Sequence, residues 1–336
     1  MSTKVTTPAG LHCSTLQAVA AERQFQDAII TTIAEFAKNL SESQQIEILK
    51  FVLNFDSEVI LRKGSNRRSQ PFVLVLMKTM LQVAEQYQCS TISNALHPEF
   101  LKNLLRGVAV DKDPAIRIYV QKLLHTLMDR NHNSAKLMKV RIYTQEESLS
   151  DELQCQSPDM QDILFMKQTG VLLTENLFWQ LLESSNKVDN LEHVCCTISL
   201  IALEMSADEV LLELFRLLLA VQEKVVPGGS KESASLPQTH RCAVHAIVAS
   251  QMTLLVKLLK DRAPAALCEH IYGVIERRGQ DAPHLLPKVA FNRNNTQGSY
   301  PADFKITDEL LFHQGKISNI LEDNHFDVSG LDIFSA

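Results

Sequence analysis

Residues 98–128, PEFLKNLLRGVAVDKDPAIRIYVQKLLHTLM, show the helical pattern of this chain most clearly. Apolar residues recur at intervals of three and four on both sides of a short polar break, the pattern of two helices that each bury one face. Asp113 can cap the second helix, and Pro114 occupies its first position, where a missing backbone N–H costs no hydrogen bond. Because the turn is so short, the sequence predicts two antiparallel helices.

Amphipathic segments of the same kind extend from this pair toward both ends of the chain. They cover residues 14–39, 42–54, 71–88, 158–183, 191–205, 206–225, 238–261 and 264–278. Ser206 and Glu209 have the spacing of a capping box. Only residues 140–143 have β-like character, and that run is too short to form a sheet. Helix pairs repeated every 40 to 47 residues or so are typical of armadillo and HEAT arrays, so we predict an all-α, armadillo/HEAT-like right-handed helical-repeat solenoid.

The predicted solenoid occupies residues 1–280 and is followed by a tail at residues 281–336. Its parts are a first helix pair at 14–54, central helices at 71–128, buried helices at 158–225 and a last pair at 238–278. The tail loses its apolar period in the polar run around residues 292–299 and then regains short amphipathic segments. We therefore expect the tail to be loosely ordered, with short helices.

Composition narrows the classes of protein to which the chain can belong. The 336 residues are 45% hydrophobic and 21% charged, enough to build a substantial core. A net charge of −6 repels nucleic acid, so we expect no nucleic-acid partner. Seven irregularly spaced cysteines and no signal peptide favour reduced thiols inside the cell. The longest uncharged stretch, residues 242–256, is shorter than the roughly 20 residues that a membrane span requires.

Motifs that carry chemistry are missing from the sequence. It contains no phosphate-binding glycine loop, no H-E-x-x-H and no paired C-x-x-C. Residues 228–230 (GGS) resemble the start of a nucleophile elbow, but position 232 is Glu and no strand precedes it, so we interpret the segment as a linker. Two groups of histidines and cysteines lie on predicted helices at steps that do not converge on one metal ion. They are His193, Cys195 and Cys196, and His240, Cys242 and His245. We predict no catalytic residue, no cofactor and no metal.

Two groups of residues are candidate contact surfaces. The first is a basic cluster that could contact acidic lipid, at on the order of 1 kcal/mol per residue, or could simply be a solvated loop. It consists of Arg62, Lys63, Arg67 and Arg68. The second is a set of apolar residues in the tail that could bind a protein partner or could fold back as a cap on the last repeats. It consists of Leu310, Leu311, Phe312, Ile317, Ile320, Leu321, Phe326 and Phe334.

Several runs of sequence, distributed over roughly residues 65–331, carry a family resemblance. They are 111–117 (DKDPAIR), 124–125 (LH), 129–136 (DRNHNSAK), 162–170 (DILFMKQTG), 211–222 (LLELFRLLLAVQ) and 311–331 (LFHQGKISNILEDNHFDVSGL). In this order they resemble the rolling blackout family, also called the Eighty-five-requiring plasma-membrane proteins.

The resemblance implies a non-catalytic scaffold that anchors a type III alpha phosphatidylinositol 4-kinase complex at the cytoplasmic face of the plasma membrane. Such a protein supports phosphatidylinositol 4-phosphate synthesis without catalysing it. In the family, a carboxy-terminal region similar to the tail here engages the tetratricopeptide-repeat scaffold subunit of the complex. That subunit in turn carries the kinase and hyccin, which would be indirect partners of this chain.

The sequence departs from the family pattern at its start. Family members begin with a cluster of lipid-modified cysteines, whereas this chain opens MSTKVTTPAG and Cys13 stands alone. A single acyl chain gives only marginal membrane binding. We therefore expect the carboxy-terminal part of a longer protein, or a product without the anchor, which would be cytosolic.

Two other functions compete with the scaffold hypothesis. A lipid hydrolase acting on membrane diglycerides would require a nucleophile elbow and a parallel sheet, and the sequence predicts neither. A generic helical-repeat adaptor in membrane trafficking would share every feature of the predicted fold. Only the identity of the partner separates that adaptor from the scaffold.

Overall fold

A computed structural model describes residues 9–61, 70–87, 91–155, 157–227, 236–259, 262–295, 298, 300–301 and 305–329. Within these ranges the regular structure is helical and there is no strand, which confirms the predicted all-α class. The α-helices are α1 (Ala9–Ala37), α2 (Glu42–Leu61), α3 (Gln70–Ala84), α4 (Ile92–Ala95), α5 (Pro98–Asn103), α6 (Pro114–Met128), α7 (Ser134–Leu137), α8 (Met160–Leu182), α9 (Val188–Glu204), α10 (Asp208–Val225), α11 (Gln238–Leu259), α12 (Ala265–Asp281), α13 (Pro287–Ala290) and α14 (Gln314–Asp323).

The chain divides into two compact units, where the sequence suggested one continuous stack. Unit 1 is Met1–Gln88 and unit 2 is Cys89–Ala336. In unit 1, α3 packs on both α1 and α2. Its apolar face, including Met77 and Met80, is buried, as are Ile30 of α1 and Leu49 of α2. Unit 1 is therefore a small helical layer built around α3.

The helix pair predicted for residues 98–128 is present in unit 2. Asp113 accepts a hydrogen bond from the backbone N–H of Ala115 at 2.9 Å, and Pro114 is the first residue of α6, as predicted. The preceding helix, α5, continues into a π-helical turn at Leu104–Val108. The guanidinium of Arg117 donates to the backbone carbonyl of Asp111 at 2.7 Å. The polar turn between the two helices is thus held by the Asp113 cap and by the buried side chain of Arg117.

The capping box predicted at Ser206 and Glu209 is not formed. Helix α10 begins at Asp208, and its cap position is Ala207, which has no side-chain oxygen to accept a hydrogen bond. The helix starts too late along the chain for the Ser206 side chain to cap it. Acidic Asp208 and Glu209 lie instead in the first turn, where they interact favourably with the positive end of the helix.

Helix α11 is the centre of unit 2. It contacts α9, α10, α12 and α13, and all but a few of its residues are buried. By length and apolar composition it is the one helix among the described residues that could cross a membrane, yet 94% of its most apolar window lies inside the fold. Burial by neighbours on several sides explains why its sequence shows almost no polar face. We interpret α11 as a core helix.

A buried ionic cluster joins the segment after α6 to α8 and α9. The guanidinium of Arg130 binds the carboxylate of Asp162 on α8 at 2.9 Å and that of Glu204 on α9 at 3.0 Å. Asp162 also accepts the backbone N–H of Ser93 at 3.1 Å. Both carboxylates are fully buried, and burial raises the pKa of Glu204. One side chain from the DRNHN run therefore links three helical elements.

A second polar layer lies between α6 and the helices α8 and α9. The side-chain amide of Gln121 donates to Gln180 at 2.7 Å, and His125 Nε2 lies 2.8 Å from the hydroxyl of Thr197. Burial, and then the charge of the nearby His193, lower the pKa of His125 to about 4. His125 is therefore neutral in the folded protein at physiological pH.

The outer face of α8 carries exposed apolar side chains. Met160, Leu164, Val171 and Trp179 are each at least half exposed. Trp179 packs edge-on against Phe178, with ring centroids 5.3 Å apart. It is the only tryptophan in the sequence.

Candidate partner-binding surface

The described part of the tail folds onto unit 2. After α12, the chain passes through a 3-10 turn at Pro283–Leu285 and α13, and residues 305–329 then return across α12. The 3-10 turn at Asp308–Leu310 and helix α14 both contact α12. Leu310 joins Cys242, Ala282 and Leu285 in one buried cluster. The tail is thus more ordered than its composition predicts, because a few apolar residues spaced along it are anchored in the core.

Arg278, in the last turn of α12, is the main anchor of the tail. Its guanidinium is fully buried and donates to the backbone carbonyls of Leu310 at 2.8 Å and His245 at 3.0 Å. It also lies over the ring of Phe312, 4.7 Å from the centroid, a favourable cation–π geometry. Burial lowers the pKa of Arg278 to about 9. The guanidinium is therefore held by carbonyl oxygens and an aromatic face.

Two further side chains fix the same short segment. The side-chain amide of Gln222, on α10, accepts the backbone N–H of Phe312 at 3.0 Å and donates to its carbonyl at 2.9 Å. The backbone N–H of His313 donates to His270 Nε2 at 3.3 Å, and the two imidazole rings stack with centroids 5.9 Å apart. Residues 310–313 are thereby tied to α10, α11 and α12. We call them the strap.

The structure divides the predicted partner-binding residues into two groups. Four are buried inside the chain, as expected of a tail that folds back: Leu310, Phe312, Ile317 and Leu321. Three are partly exposed and can contact another protein: Leu311, Ile320 and Phe326. The remaining predicted site residues, Phe334 and the basic cluster of Arg62, Lys63, Arg67 and Arg68, lie outside the described residues.

Grooves border the strap on two sides. A cavity of about 710 Å³ lies between the strap and α12, and its wall carries charges of both signs, including Arg277, Glu309 and Lys316. A second cavity, of about 390 Å³, lies on the side of α10 beside Leu219. Leu311 lines both. A partner that contacts Leu311 can therefore also reach polar groups on either side.

Five of the six histidines and cysteines noted in the sequence are buried, and His193 is partly exposed. Burial raises the pKa of Cys195 to about 12, so this thiol stays protonated and is a poor nucleophile or metal ligand. Cys196 is buried beside it, and His245 is fully buried with its pKa far below the ordinary value, first because of burial. His240 pairs with the carbonyl of Leu181 at 2.8 Å. Across the described ranges, no cluster of three or more His, Cys, Asp or Glu side chains is arranged to hold a metal ion.

Sequence reasoning missed the residues that hold the strap. Arg278 is one arginine near the end of an amphipathic helix, a position where a basic side chain is ordinary on a solvent-exposed face. Gln222 is likewise one polar residue in an apolar helix. The only available signal for Gln222 was its position in a helix whose other residues predicted burial nearly all round.

Successive packed helices, with no strand in the described ranges, are the architecture of an all-α helical-repeat protein, here of the armadillo class. The chain belongs to the EFR3 family. The family model described as "EFR3, armadillo repeat" matches residues 2–322, which confirms the resemblance seen in the sequence.

Individual relatives agree with the family match. The chain is 31% identical to protein EFR3 homolog B of Homo sapiens over 312 residues, covering 89% of this chain and 36% of that protein. It is 30% identical to EFR3 homolog A of Homo sapiens over 323 residues, covering 93% and 37%. Against EFR3 homolog cmp44E of Drosophila melanogaster the identity is 28% over 271 residues, covering 80% and 30%. The chain thus spans about a third of the length of these relatives. No solved structure gives a significant match.

Proposed function

We propose that this chain is a non-catalytic scaffold that recruits a phosphatidylinositol 4-kinase complex to the cytoplasmic face of the plasma membrane. The observation that supports this role is the EFR3 armadillo-repeat match over residues 2–322. Armadillo repeats present extended helical surfaces suited to holding other proteins. Recruitment raises the effective concentration of an enzyme at its membrane substrate, so the scaffold supports phosphatidylinositol 4-phosphate synthesis without performing any chemistry.

The proposed direct partner is the tetratricopeptide-repeat scaffold subunit of that complex, with hyccin and the kinase bound through it. Its binding surface on this chain is the exposed side of the strap and α14, with Leu311, Ile320 and Phe326 as the apolar contacts. The buried Leu310, Phe312, Ile317 and Leu321 hold those three in position. Phe334 is a further proposed contact, and the basic cluster at residues 62–68 is the proposed contact with acidic lipid.

The experiment is a binding measurement between the purified tetratricopeptide-repeat subunit and the full chain carrying Leu311→Asp and Ile320→Asp. Both side chains are partly exposed, so the variant should keep its fold, which circular dichroism would check. An aspartate in an apolar contact leaves a charge unpaired at the interface, and we expect binding to weaken at least about tenfold. Removing the whole tail would be less informative, because the strap is part of the core.

The matched control carries Leu164→Asp and Val171→Asp on the outer face of α8, where two exposed apolar residues also become acidic. This control should bind like the wild type. If the control loses binding and the strap variant keeps it, the surface is misplaced. If the wild-type chain does not bind the subunit at all, the recruitment role is wrong and the generic trafficking adaptor is the better account.

A further inference from the structure

A short non-helical segment in unit 2 borders a groove of about 550 Å³. The segment is residues 139–142, between α7 and the polar loop before α8, and all four residues line the groove. Side chains alternate between the two sides of an extended backbone. Four consecutive residues on one cavity wall are what a segment that turns its backbone edge toward the cavity presents. Val140 and Ile142 are β-branched residues of the kind enriched in strands.

The backbone of this segment lacks partners within the part of the chain that the structure describes. There, the N–H and C=O groups of Val140, Arg141 and Ile142 make no hydrogen bond. In Tyr143, by contrast, both backbone groups are hydrogen-bonded. Its N–H donates to the hydroxyl of Thr253 at 3.2 Å, and its carbonyl accepts from the hydroxyl of Tyr272 at 3.0 Å. The segment is therefore fixed at one end, and the backbone donors and acceptors of residues 140–142 have no partner among the described residues.

The opposite wall of the groove is apolar. It is formed by α13 and its flanking residues, with Leu286 and Phe291 partly exposed. Together with Ile142 they make a lining suited to apolar side chains. The volume lies within the range of about 300 to 1,000 Å³ that is usual for ligand pockets.

Of the four charged residues that line the groove, Lys139, Arg141 and Lys288 are basic and Glu192 is acidic. Glu192 binds Arg293 at 3.0 Å, and Arg141 binds Glu147 at 2.8 Å and Glu152 at 2.5 Å. Arg141 and Glu192 therefore both have partners of opposite charge within the chain, and Arg293 also pairs with Asp189 at 2.8 Å. Lys139 and Lys288 are exposed and form no ion pair within the described ranges. Two uncompensated lysines therefore flank an apolar groove with an unpaired backbone edge.

We infer that this groove binds an extended, acidic segment of a partner protein by strand addition to residues 140–142. Backbone hydrogen bonds to the free edge would supply affinity, as in other cases where a peptide extends an exposed edge. Alternate apolar side chains would enter the space between Ile142 and Phe291. Carboxylates on the other side chains would pair with Lys139 and Lys288.

The observations favour a protein segment over a lipid surface. A lipid headgroup would use the two lysines, but it has no regular array of amide donors and carbonyl acceptors to match the backbone edge. Only a polypeptide satisfies the lysines, the apolar wall and the backbone together. The groove shares no lining residue with the two cavities beside the strap, so the two surfaces can be tested separately.

The test uses the full chain and a fluorescein-labelled, capped peptide of alternating glutamate and valine. Binding would be followed by anisotropy, and hydrogen exchange would report the backbone amides of residues 140–142. We expect saturable binding and slower exchange at these amides. The same peptide with alternate backbone amides methylated should bind at least about tenfold more weakly, because it cannot complete the hydrogen bonds.

Charge variants provide the matched comparison. Lys139→Glu with Lys288→Glu should weaken binding by about tenfold, because two attractive charge pairs become repulsive. The control, Lys102→Glu with Lys112→Glu, makes the same charge change at exposed lysines elsewhere in unit 2 and should leave binding unchanged.

Three results would overturn the proposal. They are no binding of the peptide, equal binding of its methylated form, or binding to phosphatidylserine-containing vesicles that requires Lys139 and Lys288 while the peptide fails to bind. The last result would assign the groove to a membrane surface instead.

Discussion

At the scale of single residues, Arg278 shows how a charge can be buried without a carboxylate partner. Its planar guanidinium donates in several directions at once, which lets it satisfy the carbonyls of Leu310 and His245 while lying flat on Phe312. A lysine ammonium could not reproduce this fork and would be harder to desolvate. The identity of this residue is therefore set by geometry as well as by charge.

We predict that Arg278→Met lowers the free energy of unfolding by about 3 kcal/mol. Methionine fills similar space but removes three hydrogen bonds, to the carbonyls of Leu310 and His245 and to the side-chain oxygen of Gln222, and each such loss costs on the order of 1 kcal/mol. Urea denaturation followed by circular dichroism would measure the change. Arg277→Met is the control, since Arg277 is half exposed and pairs with the exposed Glu309; its effect should stay within about 0.5 kcal/mol.

His125 makes stability depend on pH. Its pKa is about 4 in the folded protein and 6.5 in its reference state, so the unfolded chain binds the proton more tightly between these values. Stability due to His125 is therefore fully present above pH 6.5 and is lost as the pH falls toward 4. A pKa shift of this size corresponds to a contribution of about 3 kcal/mol to the free energy of unfolding.

The measurement is urea denaturation at several pH values across that window, comparing wild type with His125→Gln. The variant should lose less stability on acidification, by about 3 kcal/mol. Other buried histidines also contribute, so the difference between the two slopes is the relevant quantity. His132→Asn is a suitable control, because His132 is exposed and has a positive φ of 55° that asparagine tolerates. Equal slopes for wild type and His125→Gln would contradict the assignment.

At the scale of elements, the start of α6 is set by one side-chain hydrogen bond. We predict that Asp113→Ala destabilises unit 2 by about 1 kcal/mol, because an amide in the first turn loses its acceptor. Asp113→Asn should restore most of the loss, since asparagine is an equally good cap. Lys112→Ala, one residue earlier, should have almost no effect. Thermal unfolding would rank the three, and an alanine variant as stable as the wild type would show that the cap contributes nothing.

The elements predicted most accurately were helices that have both a periodic apolar stripe and residues that mark where the helix begins. Helix α6 has an apolar stripe, a capping aspartate and a proline at its first position, and both of its predicted ends agree with the structure. The start of α10 was mispredicted because Ser206 and Glu209 fit a capping pattern that the backbone does not use. Local motifs identify a helix reliably but can place its first residue wrongly.

The tail was harder to predict because its order depends on distant residues. Its apolar side chains are few, and the side chains that hold them, Gln222 and Arg278, lie 90 and 32 residues away from the tail atoms they bind. Periodicity cannot show such pairings. The partly exposed residues Leu311, Ile320 and Phe326 were recognised as apolar, but only the fold separates them from their buried neighbours.

At the scale of the whole molecule, the two compact units should differ in stability. Unit 2 has a large core centred on α11, whereas unit 1 is short, and small units bury a smaller fraction of their surface. We predict that a fragment comprising residues 89–336 folds alone, with helical circular dichroism and cooperative unfolding. A fragment comprising residues 1–88 should be much less helical. A disordered 89–336 fragment would show that unit 2 needs the rest of the chain.

The position of Trp179 gives the molecule a built-in optical reporter. Trp179 is the only tryptophan and is half exposed on α8. Light at the long-wavelength edge of the protein absorption band excites tryptophan alone, so the resulting fluorescence comes entirely from unit 2. Far-ultraviolet ellipticity, by contrast, sums the helices of both units. A urea titration recorded both ways therefore separates the two unfolding events in an unmodified sample. An ellipticity change that precedes the shift in emission would be the signature of unit 1 melting first.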